Sequence, residues 1–236
     1  MTAPRAHSLD GGWILEAPGA PTAPRPLHFE PESLRAEGRI TGSSTGRHQA
    51  WFFEVGDLEL VLRHYWRGGF LARLTDDLHL WSGLSRSRPY RELALLAQLR
   101  ADGLPVPRPV GARILRRGPT YRADLVTVAI PHTRTFADAI LEGTLDGAAW
   151  VEVGRTLRQF HEAGAHHADL NVRNILLDQA GTVWLIDWDK GRRRRPGGRW
   201  AHRTMARLHR SLSKEPELAR AAEEHWPTLL RAWEAG

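Results

Sequence analysis

The residues that could carry chemistry are concentrated in one stretch, which runs from His166 to Asp189 and reads HHADLNVRNILLDQAGTVWLIDWD. This stretch places Asp169, Asn174 and Asp187 in the order carboxylate, amide, carboxylate. Phosphoryl transfer from a nucleotide needs a carboxylate that orients the attacking hydroxyl, together with oxygen ligands that hold Mg²⁺. Because the stretch supplies all of these groups, it predicts a phosphoryl-transfer site.

The spacing of these residues strengthens that interpretation. His167-Ala168-Asp169, followed later by Asn174, matches the kinase catalytic-loop pattern H-R-D-x-x-x-x-N, with alanine in place of arginine. Asp187 ends the second of two apolar segments, where kinases have a metal-binding aspartate. Asp169 is therefore predicted to be the catalytic base or orienting group, and Asn174 and Asp187 are predicted to be magnesium ligands. Singly, each could be an ordinary turn or strand-end residue, but their combined order makes coincidence improbable.

Local sequence patterns predict the elements that must hold this loop. The predicted helices cover residues 90–102, 136–141, 150–163, 199–212 and 217–233, and the predicted strands cover residues 50–55, 58–65, 121–130, 175–177 and 183–186. Strands are frequent in the first part of the chain and helices in the second. This order favours an α+β fold with a small N-terminal β-sheet lobe and a larger, mostly helical C-terminal lobe.

We expect three segments along the chain. Residues 1–38 are rich in proline and are predicted to be irregular, residues 39–131 to form the N-terminal lobe, and residues 132–236 to form the C-terminal lobe with the catalytic loop. The turn-like sequence GSSTGR before the first predicted strand contains Gly42 and Gly46. Glycines there could let backbone N–H groups approach the phosphates of a nucleotide, although a glycine near a hairpin is weak evidence by itself.

Composition limits the classes of protein to consider. Hydrophobic residues at 42% and charged residues at 25% fit a folded chain, and the absence of cysteine excludes disulfides and thiolate catalysis. There is no signal-peptide core and no run of about 18 apolar residues, so we expect neither secretion nor a transmembrane helix. The net charge of +6 fits either a polyanionic partner or an arginine-rich composition alone. We predict no nucleic-acid partner, because basic charge is its only support.

Several separated motifs together resemble the 3-deoxy-D-manno-octulosonic acid (Kdo) kinase family, which is related to the lipopolysaccharide core heptose kinases. The motifs are HADLNVRNILLD, VWLIDWDKGR, LVLRHYWRGGFLARL, RELALLAQLRADGLPVPRPVGARI and YRADLVT, and they cover roughly residues 40–215. The resemblance implies a two-lobed protein-kinase-like fold and ATP-dependent phosphorylation of the 4-hydroxyl of a Kdo residue on a lipid A precursor. It also implies a peripheral protein at the cytoplasmic face of the inner membrane of a Gram-negative bacterium.

The resemblance assigns further site residues, with one departure from the kinase pattern. Kinases place a strand lysine on the ATP phosphates and pair it with a helix glutamate, but Lys190 and Lys214 both follow the catalytic loop here. Arg63 on the second predicted strand is the expected substitute, and Glu92 on the next helix is its expected partner. Both are therefore predicted to bind the nucleotide. A surface arginine and a first-turn helix carboxylate are the alternatives.

Other departures bear on the acceptor. Asn171 stands where many kinases have a lysine near the transferred phosphate, Asp189 stands where D-F-G has glycine, and no Ala-Pro-Glu follows. The first feature resembles small-molecule kinases, the second argues against a protein-kinase-style flip of this segment, and the third disfavours a peptide substrate. The open alternatives are another kinase of this fold, acting on heptose, an aminoglycoside or a protein hydroxyl, and a catalytically inactive nucleotide-binding module. The basic run at residues 192–195 either contacts lipid A phosphates or an anionic membrane surface, or is solvated. The sequence does not indicate the oligomeric state.

Overall fold

The computed structural model describes residues 3–44, 50–65 and 77–235 of the chain. The chain divides into two compact units. Unit 1 comprises Met1–Gln98 and Pro107–Ala129, and unit 2 comprises Leu99–Val106 and Ile130–Gly236. Strands dominate unit 1 and helices dominate unit 2, so the predicted α+β class is confirmed.

Unit 1 is built on an antiparallel sheet, in which the described residues form eight strands. The strands are β1 (Arg5–Leu9), β2 (Gly12–Glu16), β3 (Ile40–Ser43), β4 (Ala50–Val55), β5 (Leu58–His64), β6 (His79–Leu80), β7 (Pro109–Arg117) and β8 (Thr120–Val128), and the helices are α1 (Pro31–Ala36) and α2 (Arg88–Ala101). The strand order is β1-β2-β7-β8-β5-β4-β3, and β6 pairs with β8. Aliphatic and aromatic side chains alternate along these strands, which gives a core that includes Phe53, Leu60, Leu62 and Val126.

The N-terminal segment differs from its prediction as irregular. Residues of β1 pair with those of β2 in an antiparallel hairpin, and β2 continues the sheet by pairing with β7. The turn is Asp10-Gly11, with Gly11 at a φ of 72°, and an Asp-Gly pair between alternating residues is a strong hairpin signal. Apart from Pro4, which precedes β1, the prolines of the segment begin at Pro18, after β2 has ended. Averaging composition over residues 1–38 therefore concealed a buried strand.

Unit 2 positions the catalytic loop between helices and short strands. Its helices are α3 (Phe136–Leu141), α4 (Gly147–Glu162), α5 (Arg199–Leu212) and α6 (Pro216–Glu234), and its strands are β9 (Arg134–Thr135), β10 (Ala165–His166), β11 (Ile175–Leu177), β12 (Val183–Leu185) and β13 (Arg192–Arg193). Asp146 caps α4 by accepting a hydrogen bond from Ala149 N–H at 3.0 Å. The helix packs closely on α6 at Gly154, where a Cβ atom would overlap the Leu229 carbonyl.

The chain turns from α4 into the catalytic loop at Gly164, whose φ is 69°. The Gly164 carbonyl accepts a hydrogen bond from Arg194 N–H at 2.8 Å, and β10 pairs with β13. Arg193 donates to the Ala163 carbonyl at 2.7 Å and forms an ion pair with Asp102. Part of the basic run is thus a strand bound to unit 2, which the sequence did not predict.

Candidate active site

His167 fixes the backbone of the catalytic loop. Its imidazole is buried, and burial lowers its pKa, so the ring is neutral near pH 7. Nδ1 accepts a hydrogen bond from Asp169 N–H at 3.3 Å, while Nε2 donates to the Ile186 carbonyl at 2.8 Å. The ring therefore ties Asp169 to the residue immediately before Asp187.

Two asparagine side chains close the turn that carries Asp169. Asn174 donates from its amide to the Asp169 carbonyl at 3.1 Å, and its own backbone carbonyl accepts from Ile186 N–H at 3.0 Å. Asn171 donates to the same Asp169 carbonyl at 3.0 Å and accepts from Arg173 N–H at 2.9 Å. Asn171, at the position of the kinase lysine, therefore serves to hold the loop.

Asp187 has an unusual backbone conformation. Its φ is 64°, a left-handed value that residues other than glycine seldom adopt. The next residue, Trp188, is almost fully buried, and its ring lies 4.7 Å from that of His167 and 5.4 Å from that of Phe160. Such strain persists only where the surroundings fix the backbone, and the packed indole does so here. A protein-kinase-style flip, which Asp189 already disfavoured, would have to unpack Trp188.

Asn174 and Asp187 offer the oxygen atoms that a hard cation requires. The amide nitrogen of Asn174 is used on the Asp169 carbonyl, so its amide oxygen is the atom left to face a cation. Within the described residues, no group of three or more His, Cys, Asp or Glu side chains forms a self-contained metal site. Mg²⁺ in phosphotransferases is usually held by one or two protein side chains, with water and substrate phosphates completing the shell. The two residues therefore fit a magnesium ion that is held jointly with a nucleotide.

The Asp169 carboxylate contacts Arg207 of α5. The distance from Nη1 to Oδ1 is 2.6 Å, and the aspartate and arginine side chains are 62% and 49% exposed. An exposed pair of this kind contributes at most about 1 kcal/mol to stability, so its main effect is to orient the carboxylate. Two cavities of about 330 Å³ each have Arg207 and Arg210 in their walls, and one of them also includes Asp169.

Unit 1 contains the predicted pair of Arg63 and Glu92. Arg63, near the end of β5, donates from Nη2 to Glu92 Oε1 at 2.6 Å, and the Tyr65 hydroxyl donates to Oε2 at 2.6 Å. Burial, reinforced by the Glu92 charge, raises the pKa of the Tyr65 hydroxyl well above its usual value, so it remains a neutral donor. Glu92 is 2% exposed and Arg63 is 23% exposed. A buried carboxylate thus anchors an arginine whose side chain still reaches the surface.

The predicted glycine-bearing turn is only partly described. Gly42 lies in β3 and not in a turn, because the β3–β4 pairing continues to Ser44, whose N–H donates to the Ala50 carbonyl at 2.9 Å. A Cβ atom at Gly42 would meet only Phe52, at ordinary contact distance, so packing does not require glycine there. Gly46 lies outside the described residues.

Sequence reasoning missed Tyr65 and the cationic residues near Asp169. Tyr65 is two residues after Arg63, and residues with that spacing share a face of a strand, which is a signal that was available. Arg207 and Arg210 occur on a predicted helix at spacings that place them on one side. The pattern does not say which side meets the catalytic loop. That contact depends on how α5 packs.

The fold and these two sets of residues are those expected of a protein-kinase-like phosphotransferase. Comparison with known families identifies it further: a sequence model of the Lipopolysaccharide kinase (Kdo/WaaP) family matches residues 32–233. The chain belongs to this family, and it is a kinase that transfers phosphate to a hydroxyl acceptor. The family and enzyme class predicted from the sequence are confirmed.

Curated relatives carry the name 3-deoxy-D-manno-octulosonic acid kinase. The protein from Stenotrophomonas maltophilia (strain K279a) is 44% identical over 187 residues, which cover 79% of this chain and 74% of the relative. The protein from Vibrio parahaemolyticus serotype O3:K6 is 37% identical over 202 residues, covering 86% and 82% of the two chains. That from Xanthomonas campestris pv. campestris (strain B100) is 47% identical over 170 residues, covering 72% and 68%.

A solved structure is also similar to this chain. The structure titled "WaaP in complex with acyl carrier protein" aligns with a TM-score of 0.56 and 15% identity, over 91% of this chain and 88% of that one. This likeness shows the fold alone, and it confirms the predicted protein-kinase-like fold. No helix in the described part of the chain is both long enough and apolar enough to cross a membrane.

Proposed function

We propose that this chain uses ATP to phosphorylate the 4-hydroxyl of a Kdo residue on a lipid A precursor, in lipopolysaccharide core biosynthesis. The names of the curated relatives support Kdo as the acceptor. The observation that carries the proposal is Asp169, an exposed carboxylate on a structurally tied loop, beside a cavity lined by cationic side chains. Such a wall favours an anionic acceptor over a neutral or cationic one.

In the proposed reaction, Asp169 orients the acceptor hydroxyl and accepts its proton as the phosphoryl group is transferred. This role requires a carboxylate oxygen within about 3 Å of the hydroxyl. The hydrogen bonds between the Asp169 backbone and the side chains of His167, Asn171 and Asn174 hold the loop in place for it. Arg63 binds the phosphates of ATP, because its guanidinium is fixed by buried Glu92 and is still partly exposed.

Asn174 and Asp187 are the residues proposed to hold Mg²⁺. When bound, the ion neutralises charge on the phosphates and fixes their position. Because the proposed acceptor is a glycolipid, we also propose that the protein acts peripherally at the cytoplasmic face of the inner membrane of a Gram-negative bacterium. Cosedimentation with vesicles that contain the acceptor glycolipid tests this location.

The function is tested by incubating the protein with ATP, Mg²⁺ and Kdo–lipid IVA, followed by tandem mass spectrometry of the product. We expect one added phosphate on the sugar at the 4-position. Asp169→Asn should lose at least about 10³-fold in kcat, because the general base is removed, while an excess of EDTA should stop the reaction of the wild type.

An acceptor that ends in heptose serves as the comparison substrate. If only that acceptor is phosphorylated, Kdo is the wrong sugar. If magnesium-dependent consumption of ATP is absent with both acceptors, the chain is an inactive nucleotide-binding module.

A further inference from the structure

The exposed side of α5 carries a stripe of basic residues beside the catalytic loop. The stripe consists of Arg203, Arg207 and Arg210, and Lys214 follows at the same helical spacing just past the end of the helix. The opposite side of α5 is buried through residues such as Leu208 and Leu212. Ser211 anchors the helix to the loop, because its Oγ accepts a hydrogen bond from Val172 N–H at 3.0 Å. The stripe is therefore held in a fixed position next to Asp169.

Among the described residues, the side chains of Arg203, Arg210 and Lys214 have no hydrogen-bond or ion-pair partner. Arg207 bonds to Asp169, and Arg173, which lines the same cavity, bonds to Glu215 at 2.6 Å. Of Arg203, Arg210 and Lys214, the last two line the same cavity as Asp169. The helix dipole gives Arg210 a small stabilisation at the C-terminus of α5, but like charges at a spacing of four residues repel each other. Neither effect explains why both residues line a cavity.

The cavity has the size and position of an acceptor site. Its volume is about 330 Å³, which is near the lower limit for small-molecule pockets and sufficient for one sugar residue. Asp169 stands in the same wall as Arg210 and Lys214, so a sugar there can place a hydroxyl at the carboxylate while an acidic group meets the cations. A carboxylate bonded to one arginine and one lysine is a charge-assisted arrangement, which is stronger than neutral hydrogen bonding.

We propose that Arg210 and Lys214 bind the carboxylate of the acceptor sugar acid and thereby select its orientation at Asp169. The proposal rests on the proposed function, since that function supplies a sugar acid as the acceptor. Arg207 is a positioning residue in this arrangement, because it holds the Asp169 carboxylate at 2.6 Å. A lipid phosphate could offer the same anionic chemistry, so the test must separate the two sources.

The test measures equilibrium binding of free Kdo, without ATP, to the wild type and to Arg210→Gln and Lys214→Gln. Carboxyl-reduced Kdo, in which the carboxylate is replaced by a hydroxymethyl group, is the comparison ligand. We expect the wild type to bind Kdo at least about tenfold more tightly than the reduced sugar. Each variant should lose about tenfold for Kdo and almost nothing for the reduced sugar. Arg210→Lys should retain part of the affinity because the charge remains.

Arg220→Gln is the matched control, because Arg220 is an exposed arginine of the neighbouring helix that lines neither cavity. It should bind Kdo as the wild type does. Thermal unfolding of all variants should be close to that of the wild type, since each replaced side chain is exposed. Equal losses for Kdo and reduced Kdo, or no loss in either variant, would overturn the proposal.

A kinetic arm separates the carboxylate from the lipid phosphates. The KM of each variant is measured for Kdo–lipid IVA and for the same glycolipid without its lipid phosphates. We expect the increase in KM to persist without those phosphates; if it vanishes, the cations bind phosphate and the proposal is wrong. Carboxylate-dependent binding without phosphate transfer would reject the proposed function and retain this site. Phosphate transfer to the sugar by the wild type, with an unchanged KM in both variants, would retain the proposed function and reject this site.

Discussion

The pair of Arg63 and Glu92 allows a quantitative test of the nucleotide-binding part of unit 1. Glu92→Gln preserves the shape of the side chain and its acceptor for Tyr65, but it removes the charge that faces Arg63. A hydrogen bond to a charged group contributes about 1.5–3 kcal/mol, and loss of one partner of a fully buried pair costs about 3–5 kcal/mol. Because Arg63 is 23% exposed and water reaches it, we expect the lower range. We therefore expect Glu92→Gln to lower the free energy of unfolding of unit 1 by about 2 kcal/mol.

A double-mutant cycle isolates the interaction. We expect Arg63→Met and Glu92→Gln to show a coupling energy of about 1–2 kcal/mol. Hydrogen exchange on β5 and α2 is the suitable measurement, because two compact units can unfold separately and a global unfolding curve would mix them. Arg35 and Glu32 provide a matched control, since this ion pair also has a short contact, 2.8 Å, but is largely exposed. Its coupling energy should not exceed about 0.5 kcal/mol.

The same variants test whether the pair of Arg63 and Glu92 takes part in binding ATP. Arg63→Met should raise the KM for ATP about tenfold or more, and Glu92→Gln should raise it less, because the arginine is then present but no longer fixed. If the coupling energy is below about 0.5 kcal/mol, Glu92 stabilises unit 1 through Tyr65 and not through Arg63. If the coupling is present but the KM for ATP is unchanged in both variants, the pair is structural and Arg63 does not replace the kinase lysine.

Three further predictions concern unit 2. His167→Phe should lower kcat about 10–100-fold with little change in the KM for ATP, as measured by steady-state kinetics. The substitution removes both hydrogen bonds of the imidazole and keeps an aromatic ring of similar size. Burial and neighbouring cationic groups lower the pKa of both His161 and His166 to about 4. The unfolded chain therefore binds more protons between pH 6.5 and 4, and the free energy of unfolding falls on acidification. For buried His161 alone the loss by pH 5 is about 2 kcal/mol, which hydrogen exchange on α4 can measure. Gly164→Ala should destabilise unit 2 more than Gly143→Ala, because both positions have positive φ but a Cβ atom would overlap a backbone carbonyl only at Gly164. Equal losses of hydrogen-exchange protection in unit 2 would contradict this expectation.

The elements that were predicted well are those whose signal is local. The helix predicted at residues 136–141 is α3, and that predicted at 199–212 is α5, because apolar spacing along each segment is undisturbed. β1 and β2 were missed because composition was averaged over residues 1–38, although the Asp10-Gly11 turn was visible. β7 was not among the predicted strands; prolines precede and begin it, and proline is typical of connections although it is tolerated as the first residue of a strand.

The site shows the same division between local and non-local information. Arg63 and Glu92, which are 29 residues apart, were predicted to pair because the kinase pattern supplies the contact, and the structure places them 2.6 Å apart. The contact of Arg207 with Asp169 spans 38 residues and belongs to no motif read from the sequence. The contact between Arg207 and Asp169 depends on the side chains that hold α5 against the loop, among them Ser211. Sequence periodicity identifies the face of a helix, but not its neighbour.

This division explains why the catalytic loop indicates a reaction more readily than a substrate. Its polar side chains are largely used within the loop, because those of His167, Asn171 and Asn174 all form hydrogen bonds with the backbone of Asp169. The bonds of the two asparagines to the Asp169 carbonyl involve only residues close in sequence. Their order can therefore be read directly as a phosphotransferase motif. Arg207 and Arg210, which line the cavity beside the exposed Asp169 carboxylate, come instead from α5, and their placement follows from tertiary packing. If Arg210 and Lys214 bind the acceptor as proposed, a linear motif cannot reveal how the acceptor is selected. Variants of these two residues should then alter acceptor preference and leave the chemistry of the loop intact, whereas variants of Arg207 should affect both, because Arg207 contacts the Asp169 carboxylate.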